Sequence, residues 1–347
     1  MDREELPIVY SAGAFEYNPP FEVHGGEKAP YLNSVDRVLG IIEALDQGGF
    51  RNFMNVTVVG GMSYIEHVHG SDYLDFLAEA SKSSTEEKPL IPSSHPYGRF
   101  SKATNPEAKL GKYIKDTYTP LIPTSYKDAI DSALCAIAGA ELLLEATEKE
   151  KDKKKVMPVY SLTRPPGHHA GREFGMGYCL INNAVVAVDF FLEHGAKKVG
   201  VIDFDIHHGN GTADLLYNRP QVKVVDIHAD PSYEYPGYSG YKDGRNSNLP
   251  FPAGVGNEEY EKLVQKGLKV IRQFKPDFLV VSAGFDTHKD DPSHSLKGES
   301  KLTTEYYQKL GREIRSLGIP VLVVQEGGYE LKALGANVAS FLVGLTD

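Results

Sequence analysis

The stretch from Val199 to Thr212 constrains the fold more than any other part of the chain. Its first residues, Val199 to Ile202, are apolar or glycine, which predicts a strand buried on both sides in a parallel sheet. Asp203, Asp205 and His207 then follow at every second position, and an extended backbone sends side chains with that spacing to one face. Such groups are costly to bury without a partner, and a divalent cation such as zinc suits mixed oxygen and nitrogen ligands. The alternative is a strand end with solvated polar residues.

Strands and helices alternate from residue 156 onward. Apolar runs predict strands at 156–162, 198–203, 222–227, 278–282 and 321–325, and helical apolar spacing predicts helices near 182–194, 211–217, 257–274, 303–317 and 331–345. This alternation predicts an α/β fold, in which helices cover both faces of a parallel sheet through right-handed crossovers. We find no internal repeat and no linker, and we therefore predict a single domain over residues 1–347.

The amino-terminal part is less regular. It predicts strands at 8–11 and 56–59, and helices at 35–42, 73–77 and 126–148. Residues 16–30 are rich in proline, glycine and aromatic residues, which is typical of a loop. Residues 81–124 have the weakest periodicity and predict a long loop excursion, a kind of segment that is usually functional or disordered.

Charge and cysteine content exclude several classes of protein. The net charge is −10, so the chain lacks the basic face that nucleic-acid binding needs, and a negative field favours cationic substrates. Cys135 and Cys179 form no CxxC motif, which favours a reducing, cytoplasmic compartment over a disulfide framework. The first residues lack an apolar signal core and no apolar run approaches transmembrane length, so no membrane association is expected.

A polar cluster follows each of the predicted strands of the second half. These clusters occupy 163–170, 203–212, 226–230, 283–286 and 325–329. Because ligands of open parallel sheets bind at the carboxyl ends of the strands, we expect the clusters to meet in one site.

The residue types in these clusters fit metal-assisted amide hydrolysis. The three protein ligands that a catalytic zinc needs, beside one open position for water, would be Asp205, His207 and Asp286. The adjacent His168 and His169 are candidates for general base and general acid. Tyr329 follows two glycines and would polarise a carbonyl and stabilise an oxyanion. Taken alone, the histidine pair could equally be structural, and the Gly-Gly-Tyr sequence could be a plain turn.

These motifs, in this order, resemble the signature of the zinc-dependent histone deacetylase family, and the resemblance covers nearly the whole chain. They read RPPGHHA at 164–170, DFDIHHGNGT at 203–212, GFD at 284–286 and EGGY at 326–329. The resemblance implies the arginase/deacetylase fold, a three-layer α/β/α domain around an eight-stranded parallel sheet. It also implies that the metal ligands, the tandem histidines and the tyrosine have the roles given above.

Further roles follow from the resemblance alone. Asp203 would pair with His168, and Asn210 with His169, contacts that set the tautomer and basicity of each ring. Asparagine at 210, in place of aspartate, resembles the residue that class II and bacterial members of the family have at this position. Family members also bind potassium beside the zinc, and Asp226 stands here where that site usually has a small hydroxyl residue.

Within the family, the chain is most similar to the acetylpolyamine amidohydrolases, at 230–240, 286–292, 301–306 and the excursion 81–124. This similarity implies a small cationic acetylamine as substrate. It also implies a homodimer joined through the excursion, which narrows the mouth of the active site.

The resemblance assigns residues to substrate binding as well. Tyr178 and Tyr235 fall where the family has the aromatic walls of its acyl-lysine tunnel, and Gly177 precedes the first wall. Glu107 matches an acid that meets the polyamine ammonium groups. Where a second acid is expected the chain has Tyr118, with Asp116 nearby.

Other functions stay open at this point. A protein-lysine deacetylase would have a shallower mouth, and a non-catalytic binding module on the same fold would lack a ligand or the tyrosine. An arginase-like ureohydrolase would need a two-manganese ligand set. Asp226, His228 and Asp230 have alternating ligand spacing that is faintly similar to the arginase branch, but no second motif matches it.

Overall fold

The computed structural model describes residues 1–56, 60–95, 105–237 and 246–347. Within these ranges one eight-stranded sheet and one small hairpin are present. The strands are β1 Ile8–Tyr10, β2 Glu22–His24, β3 Glu27–Ala29, β4 Phe53–Asn55, β5 Val159–Ser161, β6 Val199–Asp203, β7 Val222–Asp226, β8 Ser247–Asn248, β9 Phe278–Ala283 and β10 Val321–Gln325. The sheet has the order β4-β1-β5-β10-β9-β6-β7-β8 and all its pairs are parallel. The predicted α/β fold with eight parallel strands is confirmed.

Helices cover both faces of this sheet. They are α1 Gly13–Glu16, α2 Asp36–Gln47, α3 Met62–Val68, α4 Ser71–Ser83, α5 Pro106–Tyr113, α6 Ser125–Lys149, α7 Asn183–Glu193, α8 Asn210–Leu216, α9 Asn257–Phe274, α10 Thr304–Arg315 and α11 Leu331–Thr346. Along β6, Val199 and Val201 pack in a core with α6 and α7, whereas Ile202 faces a second core with α9, α10 and α11. The alternation along one strand thus buries side chains in both outer layers, which gives three layers in the order α/β/α.

Differences from the predicted elements are concentrated in the first half. Of the strand predicted at 56–59, residues 57–59 lie outside the described residues and Val56 is not in a strand. The described strand β4 lies just before it, at Phe53–Asn55. The helix predicted at 73–77 extends over Ser71–Ser83, and the excursion contains α5. Residues 16–30, predicted as a loop, contain the antiparallel hairpin of β2 and β3, whose turn residues Gly25 and Gly26 both have positive φ. Two glycines are what a tight two-residue hairpin turn requires.

No helix in the described part of the chain combines the length and apolar character needed to cross a bilayer.

Candidate active site

Three predicted metal ligands meet beyond the carboxyl ends of the neighbouring strands β6 and β9. One ligand atom from each of Asp205, His207 and Asp286 lies within 4.8 Å of the other two. His207 Nδ1 is 2.9 Å from Asp205 Oδ1 and 3.3 Å from Asp286 Oδ2. Burial and the adjacent Asp205 carboxylate raise the pKa of Asp286 to about 7. Two buried carboxylates this close repel each other, so the donor set fits a divalent cation that would neutralise them.

Glycines allow the backbone to approach these carboxylates closely. Gly327 N donates to Asp205 Oδ2 at 2.9 Å, and a Cβ atom at Gly327 would lie 2.2 Å from Asp286 Oδ2. A Cβ at Gly284 would lie 2.1 Å from Asp205 Oδ2. No side chain fits at either position, so both glycines of the sequence motifs are required by close approach.

The two adjacent histidines have different partners. His168 Nδ1 lies 3.0 Å from Asp203 Oδ2, and His169 Nδ1 lies 2.7 Å from Asn210 Oδ1. Burial alone would lower the pKa of His168, but the carboxylates of Asp205 and Asp203 raise it to about 10. Burial, with the nearby His168, holds the pKa of His169 well below its ordinary value. The arrangement therefore favours one charged and one neutral imidazole side by side, with ring centroids 4.0 Å apart.

Tyr329 is held in place by two buried neighbours. Its backbone N–H donates to Asp291 Oδ2 at 2.7 Å, and the guanidinium of Arg37 lies 4.8 Å from its ring centroid. Gly328, immediately before it, has φ 112°, a conformation that favours glycine. Burial raises the pKa of the Tyr329 phenol well above its ordinary value, so the hydroxyl stays protonated and can donate a hydrogen bond.

A cavity of about 250 Å³ leads to these groups. His169, His207 and Tyr329 line it together with the predicted wall residues Gly177, Tyr178 and Tyr235. The Tyr235 ring lies 5.2 Å from that of His169 at an interplanar angle of 88°, and Tyr178 lies 5.5 Å from Tyr329. Glu107 is exposed on α5 and is not among the described residues that line this cavity.

Several residues of the site were not identified from the sequence. Glu22, on the β2–β3 hairpin, is buried and accepts a hydrogen bond from the Tyr178 hydroxyl at 3.1 Å. Glu234 lines the cavity, and its Oε1 lies 3.8 Å from His207 Nε2, beyond hydrogen-bonding distance but close enough for its charge to act on that ring. Glu234 directly precedes Tyr235 in the sequence, and this position next to a predicted wall residue could have identified it.

Arg37 was missed as well. This buried arginine donates from Nε to Gly328 O and from Nη2 to Glu326 O, both at 2.6 Å, and so holds the turn before Tyr329. The sequence could have indicated it, because a charged arginine stands among the apolar residues of the helix predicted at 35–42. Glu326 in turn accepts from the backbone N–H groups of Gly167 and His168, which fixes the loop that carries the tandem histidines.

A second group of buried donors lies on the next strand. His208 Nδ1 is 2.7 Å from Asp226 Oδ2, and ligand atoms of His208, Asp226 and His228 lie within 4.8 Å of one another. Asp226 Oδ2 also accepts from Gly209 N at 3.0 Å, whereas the buried Oδ1 has no hydrogen-bond partner among the described residues. The carboxylate therefore keeps one free acceptor beside the predicted metal site.

His69 supports the histidine loop from behind and should make the fold acid-sensitive. Its Nδ1 is 2.9 Å from Gly171 O, and its Nε2 accepts from Asn182 N at 3.0 Å, an arrangement that needs the neutral ring. Burial lowers the pKa of His69 to about 4, against about 6.5 in the unfolded chain. The unfolded state binds the proton more readily, so stability should be full above pH 6.5 and fall by about 3 kcal/mol as pH drops to 4.

The measurement is urea unfolding between pH 4 and pH 7. His69→Gln should flatten this part of the pH profile. His67→Gln, an exposed histidine two positions away, is the matched control and should not. An unchanged profile in His69→Gln would contradict the assignment.

The chain is similar in sequence and in fold to known proteins. The sequence model of the histone deacetylase domain matches residues 32–345. The chain is 34% identical to the acetylpolyamine amidohydrolase of Mycoplana ramosa, covering 98% of this chain and 99% of that protein. It is 32% identical to acetylpolyamine amidohydrolase 2 of Pseudomonas aeruginosa, with 97% of each covered. The crystal structure of the acetylpolyamine aminohydrolase from Burkholderia pseudomallei superposes with a TM-score of 0.84 at 29% identity, covering 97% of this chain and 98% of that one.

Proposed function

Because this chain belongs to the histone deacetylase family, we propose that it is a zinc-dependent amidohydrolase that removes acetyl groups from small cationic amines such as acetylpolyamines. The proposal rests on one observation above all: His207, which groups with Asp205 and Asp286 as a possible metal ligand, lines the same cavity as His169 and Tyr329. Relatives named as acetylpolyamine amidohydrolases, similar over nearly their whole length, support the substrate class.

The metal would be held by Asp205, His207 and Asp286, whose close carboxylates and single imidazole suit zinc. When bound, zinc would acidify a water molecule and polarise the substrate carbonyl. The charge of Glu234 would act on the ring of His207 from the Nε2 side.

The proton transfers would fall to His169. Among the described residues that line the cavity, His169 is present and His168 is not. The Nδ1 atom of His169 is hydrogen-bonded to Asn210 Oδ1, so Nε2 is the ring nitrogen available to a substrate. Its depressed pKa keeps it neutral, as a base must be, so it would take a proton from the attacking water and return it to the leaving amine. His168, charged beside Asp203, would add positive charge next to His169, whose ring centroid lies 4.0 Å away. The Tyr329 hydroxyl would donate to the developing oxyanion.

Further proposals concern potassium and assembly. The potassium ion implied by the family would find one oxygen ligand in Asp226, whose buried Oδ1 has no hydrogen-bond partner in the described part of the chain. A homodimer joined through the excursion 81–124 and a cytoplasmic location stay predictions from the sequence.

Substrate class is tested by a hydrolysis panel of acetylputrescine, acetylspermidine, a neutral acetylamide and acetyl-lysine peptides. We expect the acetylpolyamines to have the highest kcat/KM, because the net charge of −10 attracts cations. Glu107→Gln should raise KM for acetylpolyamines by about threefold at low salt and less at high salt, as for a screened, exposed charge.

Glu86→Gln is the matched control, since Glu86 is another exposed acid of the same excursion. It should leave KM unchanged. If acetyl-lysine peptides are hydrolysed faster than every acetylpolyamine, the enzyme is instead a protein-lysine deacetylase.

A further inference from the structure

Asp116 is the last acid of the excursion, and its carboxylate faces the interior instead of the cavity mouth. The side chain is 8% exposed and is not among the described residues that line the cavity. Oδ1 accepts from the backbone N–H groups of Tyr118 and Thr119, each at 3.0 Å. Oδ2 accepts from Gly177 N at 2.5 Å and from the Tyr235 hydroxyl at 2.7 Å.

These bonds leave the carboxylate no capacity for a substrate. A carboxylate offers about four lone-pair sites, and two donors occupy each oxygen of Asp116. A polyamine ammonium would have to displace one of these donors and leave it buried and unpaired. Asp116 therefore does not act as an acid for the substrate cation at the mouth.

The four donors come from both walls of the cavity and from the excursion itself. Gly177 precedes the wall residue Tyr178, and Tyr235 is the second predicted wall residue that lines the cavity. The first wall is held to the excursion again where Tyr178 N donates to Thr119 Oγ1 at 3.0 Å and where Lys115 N donates to Gly175 O at 3.0 Å. The far end of the Tyr235 ring, by contrast, is tied down through its hydroxyl, a group that a phenylalanine at this position would lack.

We propose that Asp116 is a positioning residue that fixes the separation of the Tyr178 and Tyr235 walls, and that this separation makes the site select unbranched amines. The inference builds on the proposed amidohydrolase function. Asp116 holds the Tyr235 ring through its hydroxyl and the first wall through the backbone of Gly177, while the Tyr178 hydroxyl donates to Glu22. Neither wall can then move outward without breaking a hydrogen bond to a buried carboxyl group. A methyl branch on the carbon next to the amide nitrogen must then push against a fixed wall. Discrimination of one methyl group by such a wall is typically worth about tenfold or more.

The test compares two acetylated diamines, one linear and one with a methyl branch next to the amide nitrogen. We expect the wild-type enzyme to prefer the linear substrate by at least about tenfold in kcat/KM. Tyr235→Phe keeps the ring and removes the tether, and the preference should fall about threefold. Asp116→Asn should lower it about tenfold, with most of the change in KM for the branched substrate. The double variant should be no worse than Asp116→Asn alone, because both changes break the same bond.

Tyr233→Phe is the matched control. Tyr233 lies two positions before Tyr235 and is not among the described residues that line the cavity. The variant removes a hydroxyl that donates to Phe251 O at 3.0 Å. The linear preference should be kept in this variant. If Asp116→Asn and Tyr235→Phe only lower the melting temperature and keep the preference, the carboxylate has a merely structural role and the proposal is wrong.

Calorimetric binding of the two free diamines to the zinc-loaded protein separates this inference from the proposed reaction. If wild type hydrolyses neither acetamide but still binds the linear diamine selectively, and the variants lose that selectivity, the reaction is misassigned and the wall-spacing role holds. If wild type binds both diamines equally or neither of them, the wall-spacing role is overturned.

Discussion

Replacing Tyr329 by phenylalanine is expected to lower kcat by about 100- to 1000-fold while zinc content and substrate affinity are retained. Loss of one preorganised donor to an oxyanion typically has an effect of this size. The phenol is well suited to the role because burial raises its pKa and keeps the proton on the oxygen. Its backbone is held by Asp291, and its ring lies beside Arg37 and Tyr178, so phenylalanine should occupy the same place.

The measurement is steady-state kinetics together with zinc content and a melting curve. Tyr306→Phe is the control, because it also removes one tyrosine hydroxyl, here one that bonds Glu261 away from the cavity. It should retain wild-type kcat. If kcat of Tyr329→Phe stays within about threefold of the wild-type value, the loss is far smaller than that of an oxyanion donor, and the tyrosine has a structural role.

The part of the site at the carboxyl ends of the strands could be predicted from the positions of polar residues in the sequence. The buried strand β6 ends at Asp203, and parallel topology brings Asp286, just beyond the neighbouring strand β9, beside Asp205 and His207. The extended backbone predicted through His207 is not observed, because residues 205–207 form a bend in which Asp203 Oδ1 accepts from Asp205 N and Asp205 Oδ1 from His207 N, each at 3.0 Å. The strand ends could be predicted because the sheet converts sequence position into place, whereas the bend depends on these side-chain bonds.

Loop-borne parts of the site could not be predicted in this way. Glu22 meets Tyr178 across 156 positions of sequence, from a hairpin too short to show periodicity. Asp116 was placed near the cavity mouth, yet its side chain turns inward, because four donors from three segments surround it. In a loop no period fixes where a side chain points, so only the folded contacts decide whether an acid meets the substrate or the protein.

Removal of the metal is expected to abolish activity, by more than about 1000-fold, and zinc should restore it, because the same three ligands would supply both the water and the carbonyl polarisation. Asp286→Asn should lose zinc affinity yet fold normally. The asparagine oxygen can keep the hydrogen bond that Ile206 N now donates to Asp286 Oδ1 at 2.8 Å.

The stability of this variant should change sign with the metal. Without zinc, burial and repulsion from the Asp205 carboxylate both disfavour the charged form of Asp286 and raise its pKa to about 7. Folding of the metal-free wild type should therefore weaken as pH rises from about 4, the ordinary carboxyl pKa, towards 7, and Asp286→Asn should remove that loss. Metal-free Asp286→Asn should thus melt above metal-free wild type at pH 7. With zinc at about 100,000 times its dissociation constant the order should reverse, since binding then stabilises wild type by about 7 kcal/mol, more than the roughly 4 kcal/mol that the raised pKa of Asp286 costs at pH 7. Melting curves with and without chelator decide the matter: if Asp286→Asn is the less stable protein in both conditions, the carboxylate is a structural group and not a metal ligand.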